Sequence, residues 1–242
     1  MGDGADEAPM DASPDTHRGT ARVREVYDEI ASHFSKTRAY PWPEVEAFLA
    51  SVSADEPTRV GLDIGCGNGR HAGPLAMETE RVVAVDLSRA LLVEARERLS
   101  DEERVELSGA DGRVALVQAD AAVMPLATGV VDVALYVAAV HHLPDRERRV
   151  GSLSELSRVL SPGGRALVSA WSTAHDRFDV PADAGGFDTT VDWTLPGGET
   201  VPRFYHIYAP DEFEQDLHAA GLVVESATVS SGNCYAEVRP DG

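Results

Sequence analysis

The fold of this chain can be predicted from one glycine-rich segment, Leu62-Asp63-Ile64-Gly65-Cys66-Gly67-Asn68-Gly69-Arg70. A mainly aliphatic run over 60–64 precedes the glycines and a helical pattern over 70–77 follows them, which predicts a strand, a tight turn and a helix. Glycine allows the backbone to turn sharply and to approach a ligand closely. The dinucleotide fingerprint Gly-x-Gly-x-x-Gly would need glycine where this chain has Arg70. The pattern is instead Asp-x-Gly-x-Gly-x-Gly, in which a carboxylate precedes the first glycine.

Outward from this stretch, short strands alternate with helical patterns. The predicted strands are 60–64, 81–85, 114–118, 131–137, 166–170, 222–229 and 234–239. The predicted helices between them are 70–77, 87–99, 147–160 and 210–220. Two more helices precede the sheet, one from residue 20 and one over the apolar positions 45, 48, 49 and 52. This alternation predicts an α/β fold, a parallel sheet with helices on both faces.

The acidic residues predict an N-terminal tail and indicate adaptation to a salt-rich solution. The 242 residues include 41 acidic and 21 basic side chains, which gives a formal net charge of −20, and Lys36 is the single lysine. Such a composition is typical of halophilic proteins, because in molar salt the Debye length falls to about 3 Å and acidic repulsion is screened. We expect a disordered acidic tail over 1–18 and a single domain over 19–242, with 172–203 as a substrate-side insertion or lid. At face value the charge argues against a nucleic-acid partner.

Composition also bears on location and on metal binding. The sequence has no run of 18 apolar residues, and its first residues lack the basic and apolar segments of a secretory signal. We therefore expect a cytoplasmic protein. The two cysteines, Cys66 and Cys234, are too few for a disulfide framework or, alone, for a zinc site, so no metal is expected.

The glycine turn resembles motif I of the class I S-adenosylmethionine-dependent methyltransferases. The resemblance implies a Rossmann-like, seven-stranded, mostly parallel sheet with a last antiparallel strand, and S-adenosylmethionine as cofactor. In such a site Asp63 would meet the cationic amino group, Asp86 the ribose hydroxyls and Asp120 the adenine amino group. Each acid alone is equally well interpreted as a helix cap. The other cofactor-binding candidates are Tyr27, Gly65, Cys66, Gly67, Asn68, Gly69, Leu87, Ala121 and Val137.

Two longer strings resemble a narrower family. Lys36-Thr37-Arg38-Ala39-Tyr40-Pro41-Trp42-Pro43 and Pro202-Arg203-Phe204-Tyr205-His206 are much more specific than motif I. With the runs 140–149 and 155–171, they resemble the eukaryotic tRNA carboxymethyluridine methyltransferases over residues 23–239. The resemblance implies that a carboxymethyluridine, or a related modified uridine, at the wobble position of the tRNA anticodon loop is methylated on its carboxylate.

The resemblance also implies an acceptor site. An ionised carboxylate needs no strong base, but it must be desolvated and aimed. Arginine binds a carboxylate through a bidentate fork, which makes Arg38 and Arg203 the candidates. His141 and His142 end the fourth predicted strand, where this class faces the acceptor, although a strand-end histidine is as often structural. The further candidates are Tyr205 and His206 for catalysis, and Lys36, Tyr40 and Trp42 for substrate binding.

Several of these residues also have purely structural interpretations. Tyr27 fits a core position, 41–43 fits a packed turn, and Arg203 fits a surface charge. The glycine turn and the three acids would equally suit a methyltransferase of a small metabolite such as a quinone or lipid precursor. A non-catalytic subunit that binds S-adenosylmethionine is a further alternative, but it predicts a degraded cofactor site.

A protein partner is implied as well, a small zinc-binding activator that adds to the edge of the sheet. In the class I strand order that edge is Val114-Ala115-Leu116-Val117. An unpaired apolar edge strand is prone to aggregate unless another chain or element covers it. The sequence departs from the family by its lack of lysine-rich patches and by a short acidic segment over 172–200. Several of its few cations flank the predicted pocket, so we interpret the net charge as adaptation to the medium, which leaves RNA binding open.

Overall fold

The computed structural model describes residues 14–52, 59–101, 113–181 and 183–242. The helices are α1 (Pro14–Thr37), α2 (Pro43–Val52), α3 (Ala72–Glu78), α4 (Arg89–Asp101), α5 (Arg146–Val159) and α6 (Pro210–Ala219). The strands are β1 (Val60–Ile64), β2 (Arg81–Asp86), β3 (Val114–Gln118), β4 (Val131–Val137), β5 (Leu160–Trp171), β6 (Phe187–Thr194), β7 (Thr200–Ile207), β8 (Leu222–Ser230) and β9 (Asn233–Pro240). A short 3₁₀ turn, Val140–His142, follows β4.

Seven strands form one sheet in the order β3-β2-β1-β4-β5-β9-β8. Strands β1 to β5 pair in parallel, and β9 runs antiparallel to both of its neighbours. On one face α5 and α6 pack through residues such as Leu156 and Phe213, and on the other α2, α3 and α4 pack through Phe48, Leu75 and Leu99. The predicted fold class is confirmed, and β3 forms one edge of the described sheet, as the sequence predicted.

The first helix starts earlier than predicted. It begins at Pro14, inside the stretch that the sequence assigned to a disordered tail. Proline suits the first turn of a helix because its missing N–H is not needed there. Residues 1–13, the rest of the predicted tail, lie outside the described residues. No described helix has both the length and the apolar character to span a bilayer.

β5 is longer than predicted and includes the Ser-Pro-Gly-Gly turn signal. The predicted helix over 147–160 ends at Val159, and β5 begins directly after it. Pairing with β4 shifts between Val131 and Val133, so the extra residues bulge out of the ladder. A Cβ on Gly164 would stand 2.7 Å from the carbonyl oxygen of Val131, so this close approach requires glycine.

The stretch predicted as an insertion or lid contains β6, and β7 continues beyond it. The two strands pair in antiparallel register from Phe187↔Ile207 to Thr194↔Thr200 and form a hairpin separate from the main sheet. Trp193 and Val201 of the hairpin pack against Val26 and Ile30 of α1. The hairpin and α1 thus form a second layer.

Candidate active site

A cavity of about 310 Å³ lies between the carboxyl ends of the parallel strands and the layer made by α1 and the β6–β7 hairpin. Strand ends of this kind are where open α/β sheets bind ligands. Fifteen residues of the predicted site line this cavity: Tyr27, Arg38, Trp42, Gly65, Cys66, Gly67, Asn68, Asp86, Leu87, Ala121, Val137, His141, His142, Arg203 and Tyr205. The cofactor half and the acceptor half of the predicted site therefore share one space.

The glycine turn after β1 has the backbone that only glycine adopts readily. Gly65, Gly67 and Gly69 have φ angles of 66°, 55° and 75°. A Cβ on Gly65 would come within 2.4 Å of the Ala139 Cβ, and one on Gly69 would press on Leu99 of α4. Gly69 thus serves the packing of the turn onto α4, while Gly65 and Gly67 line the cavity.

Asp63 provides the test of whether a cationic ligand fits this turn. Its side chain is 1 % exposed, and its Oδ2 atom has no hydrogen-bond partner among the described residues. Burial, reinforced by the nearby Asp86, raises the pKa of Asp63 to about 7. A buried carboxylate oxygen without a partner is costly unless a ligand satisfies it. Asp63 lies behind Gly65, Cys66 and Gly67, which line the cavity. The amino group of S-adenosylmethionine is a cation that would offset its charge, directly or through water, so the residues present fit that cofactor.

Asp86 holds the glycine turn in shape and also faces the cavity. Its two carboxylate oxygens accept hydrogen bonds of 2.8 Å from the backbone N–H groups of Gly67 and Ser88. Burial raises the pKa of Asp86 to about 6, although these two hydrogen bonds oppose the rise. Each oxygen keeps a further lone pair, which a ribose hydroxyl could use.

Asp120 lies beside the cavity without lining it. Its carboxylate accepts a hydrogen bond of 2.9 Å from the backbone N–H of Ala122 and pairs with the guanidinium of Arg148. Its neighbours Ala119 and Ala121 line the cavity instead. No helix directly follows Asp120 in the described range 113–181, so the helix-cap interpretation does not describe it: its carboxylate stabilises a turn and pairs with Arg148.

Arg203 is the main cation of the acceptor half. Its side chain is 7 % exposed, and its guanidinium lies 4.8 Å from the ring centre of Trp193 and 5.1 Å from that of Tyr205. Its Nε atom has no hydrogen-bond partner, and no acid lies within ion-pairing distance of it among the described residues. A buried cation in this state calls for an anionic ligand.

His142 fixes the position of the Tyr27 hydroxyl. Its Nδ1 atom lies 3.0 Å from the carbonyl oxygen of Phe204, which can only accept, so Nδ1 carries the proton. Burial and the charge of Arg203 lower the pKa of His142 to about 3, so the ring is neutral. The Nε2 atom of His142 therefore accepts from the Tyr27 hydroxyl, 2.7 Å away.

His141 is also neutral and has the opposite tautomer. Its Nδ1 atom accepts a hydrogen bond of 3.1 Å from the backbone N–H of Trp171, which leaves the proton on Nε2. Burial, together with the adjacent His142 ring and the charge of Arg203, holds the pKa of His141 well below its ordinary value. The ring stacks on Tyr205, with centres 5.0 Å apart. Neither histidine is therefore a cation in this site, and the Nε2 atom of His142 already accepts the hydrogen bond from Tyr27.

Some predicted residues lie away from the cavity wall: Lys36, Tyr40, Asp63, Gly69, Asp120 and His206. Tyr40 is 83 % exposed, and Lys36 is exposed near it at the end of α1. His206 points to the other side of β7, where its two ring nitrogens contact Asp188 at 2.7 Å and Glu212 at 3.0 Å. Side chains alternate along a strand, so neighbours of Arg203 and Tyr205 face away from the cavity.

The sequence interpretation missed several residues of the site. Trp171, Arg177 and Phe34 line the cavity. Trp193 does not line it, but its ring packs against the guanidinium of Arg203. A period-two pattern could have revealed the first strand of the hairpin, because Val191 and Trp193 alternate with Thr190, Asp192 and Thr194 just before a Gly-Gly turn. The many aspartates in this stretch masked that signal.

Comparisons with known proteins agree with this geometry. Residues 62–168 match the family described as the methyltransferase domain. The structure of DhpI in complex with SAH covers 93% of this chain and 98% of its own at a TM-score of 0.66 and 20% identity, which shows the shared fold.

Two curated relatives have a more specific name. The tRNA (carboxymethyluridine(34)-5-O)-methyltransferase ALKBH8 of Mus musculus is 38% identical over 150 residues, which are 62% of this chain but 20% of that protein. The chain thus spans about a fifth of that relative's length. The tRNA (carboxymethyluridine(34)-5-O)-methyltransferase of Schizosaccharomyces pombe is 30% identical over 221 residues, covering 82% of this chain and 87% of the relative. With identity at this level over most of both chains, the chain belongs to the tRNA (carboxymethyluridine(34)-5-O)-methyltransferase family, within the class I S-adenosylmethionine-dependent methyltransferases.

Proposed function

We propose that this chain methylates the carboxylate of a 5-carboxymethyluridine, or of a closely related uridine, at the wobble position of tRNA. The observation that carries the proposal is the buried guanidinium of Arg203, which faces the cavity without an acidic partner among the described residues. The names of the relatives support the same acceptor.

The cofactor half would hold S-adenosylmethionine through the glycine turn, Asp63 and Asp86. When bound, that cofactor supplies a methyl group on a cationic sulfur, which a carboxylate oxygen displaces to give a methyl ester. The protein's own part is to desolvate and aim the carboxylate. Four of the described arginines line the cavity, and we assign the carboxylate fork to Arg203 and Arg38, which lie against the same indole.

Neutral histidines agree with this chemistry. A wobble carboxylate is already ionised near neutral pH, so no base has to remove a proton from it. His142 instead holds the Tyr27 hydroxyl at 2.7 Å, and His141 stacks on Tyr205. Both residues would act by orienting the aromatic wall of the acceptor site. Trp42 lines the cavity, with the guanidinium of Arg70 over its ring, and would stack on an exposed base.

The same proposal includes a small zinc-binding activator protein and a cytoplasmic location. β3 forms an edge of the sheet, and its residues Ala115, Leu116 and Val117 are half-buried rather than covered. An edge of this kind can accept an added strand. If the purified chain alone is monodisperse and fully active, the activator is not needed.

The test is a direct search for the product. The chain is incubated with labelled S-adenosylmethionine and bulk tRNA in concentrated potassium chloride, with and without a candidate activator, and the labelled nucleoside is identified by mass spectrometry. We expect label in the methyl ester of carboxymethyluridine. Label in another nucleoside would contradict the acceptor, and label transferred to a small metabolite in place of tRNA would favour the metabolite alternative.

A further inference from the structure

Trp193 brings two guanidinium groups together. The guanidinium of Arg203, from β7, lies 4.8 Å from its ring centre, and that of Arg38, just after α1, lies 5.3 Å from it. The two arginines are far apart in sequence and reach the same indole from different elements. They are called the arginine pair below.

The arginine pair has no internal counter-charge. Among the residues that the structure describes, no acid lies within ion-pairing distance of either arginine. Both arginines line the cavity, and both charges lower the pKa of the Tyr205 hydroxyl against the effect of burial. Two like charges near one hydroxyl repel each other, and an anion between them would offset that repulsion.

Trp193 itself is held firmly. It is 8 % exposed, and its indole N–H donates a hydrogen bond of 3.0 Å to Nδ1 of His33. Val26, Ile30 and Val201 pack around it. Trp193 does not line the cavity, so it would act through the arginines rather than on the ligand. The face of an indole attracts guanidinium groups, most strongly where water is excluded.

We infer that Trp193 is a positioning residue that holds the arginine pair as a receptor for one carboxylate, and thereby sets the preference for the ionised carboxymethyl group over its uncharged amide. This inference rests on the proposed function, since it specifies how the acceptor is recognised. It predicts that removal of the ring weakens carboxylate recognition without a change in the cofactor site.

The test compares two anticodon stem-loop RNAs, one with 5-carboxymethyluridine and one with 5-carbamoylmethyluridine at the wobble position. Their affinities for the full chain are measured by fluorescence anisotropy in the presence of S-adenosylhomocysteine. Trp193→Leu removes the ring, Trp193→Phe keeps an aromatic face, and Val201→Ala loosens the same cluster without touching that face. Binding of S-adenosylhomocysteine, measured by calorimetry, is the check on folding.

We expect the wild-type chain to prefer the carboxylate RNA, and Trp193→Leu to lower that preference about tenfold, as loss of a desolvated cation–π contact would. Trp193→Phe should restore most of it, and Val201→Ala should retain it. If Trp193→Leu also fails to bind S-adenosylhomocysteine, Trp193→Met is tested in its place, because methionine fills more of the space without a ring. Its preference for the carboxylate RNA should fall in the same way.

Three outcomes would overturn the inference. An unchanged preference in Trp193→Leu, with Arg203→Ala losing it, would show that the arginines need no support from the ring. An equal loss in Val201→Ala would show a general loosening of the hairpin. Equal binding of both RNAs by the wild-type chain would instead contradict the proposed acceptor, and the inference would fall with it.

Discussion

Arg203 belongs to the predicted acceptor half of the site. Its guanidinium lies against Trp193 and Tyr205, so we expect its loss to affect methyl transfer far more than cofactor binding. We expect Arg203→Ala to bind S-adenosylhomocysteine normally in calorimetry. Methyl transfer to carboxymethyluridine RNA should fall about thirtyfold or more, because losing one partner of a buried charge pair costs about 2–5 kcal/mol.

Arg203→Lys serves as the matched control, since it keeps the charge but loses the fork that binds a carboxylate. We expect an intermediate activity for it. Full activity in Arg203→Ala, measured as initial rate with the same RNA, would remove this residue from the acceptor site.

The buried carboxylate of Asp63 destabilises the cofactor-free fold unless a proton or a cationic ligand neutralises it. Its folded pKa of about 7 lies above its ordinary value of 3.8, so the folded chain binds this proton more tightly than the unfolded chain does. The stability that this group contributes is therefore fully present below about pH 4 and is lost as the pH rises to about 7. At pH 8 the cofactor-free protein holds the charge buried.

Asp63→Asn should therefore stabilise the cofactor-free protein at pH 8. A gain of about 1 kcal/mol or more would raise the melting temperature by roughly 2–4 °C in a chain of this size. The gain should shrink at pH 5, where the folded wild-type carboxyl is already protonated. In the same variant we expect S-adenosylhomocysteine binding to weaken, because an amide offers no charge to its amino group. A variant that melts lower than wild type at pH 8, or binds equally well, would contradict this account of Asp63.

At the scale of elements, the glycine turn depends on backbone shape rather than on any side chain. Gly65 has a φ of 66°, and a Cβ there would stand 2.4 Å from the Ala139 Cβ. Gly65→Ala should lower S-adenosylhomocysteine affinity at least tenfold and destabilise the fold by about 1–3 kcal/mol. Gly163→Ala is the control, because a Cβ there meets nothing within 4 Å. Calorimetry and urea unfolding measure both effects, and equal behaviour of the two variants would contradict the assignment.

The strands and the cofactor turn could be predicted because their signals are local. β1, β3 and β4 coincide with their predicted bounds, since each is a compact aliphatic run set off by a turn. The bulged start of β5 could not be predicted, because the Ser-Pro-Gly-Gly signal is typical of a turn between elements. Its pairing depends on contact between Gly164 and Val131, which no local pattern reveals.

The acceptor half was harder to predict because it depends on pairing across a hairpin. The resemblance named Arg203, Tyr205 and His206 together, yet strand alternation directs the last of them to Asp188 and Glu212. Trp193 was missed, since its place opposite Val201 is known only once β6 and β7 are paired. Asp120 shows the same limit, because its partner Arg148 belongs to a helix later in the chain.

At the scale of the whole molecule, the distribution of charge matters more than its total. Several arginines pair with acids, among them Arg146, Arg158 and Arg165. Arg38 and Arg203 at the cavity have no such pair in the described part of the chain, although the net charge is −20. The acids therefore leave the cations at the site available for an anionic ligand.

A chain with few cations should make few phosphate contacts. We expect the affinity for tRNA to decline only slowly with potassium chloride, with a log–log slope of magnitude below about 3, and binding to survive molar salt. Filter binding across a salt series measures this slope. A steep slope would indicate a broad phosphate-binding surface.

The β6–β7 hairpin is a separate unit of the fold. It lies outside the seven-stranded sheet, and it enters the chain after β5, past the strands that carry the glycine turn and Asp86. Arg203, Tyr205 and Trp193 all belong to it. An exchange of this hairpin between related enzymes would replace Arg203, Tyr205 and Trp193 of the proposed acceptor wall and leave the strands of the cofactor turn unchanged, so one short segment could alter which group is methylated.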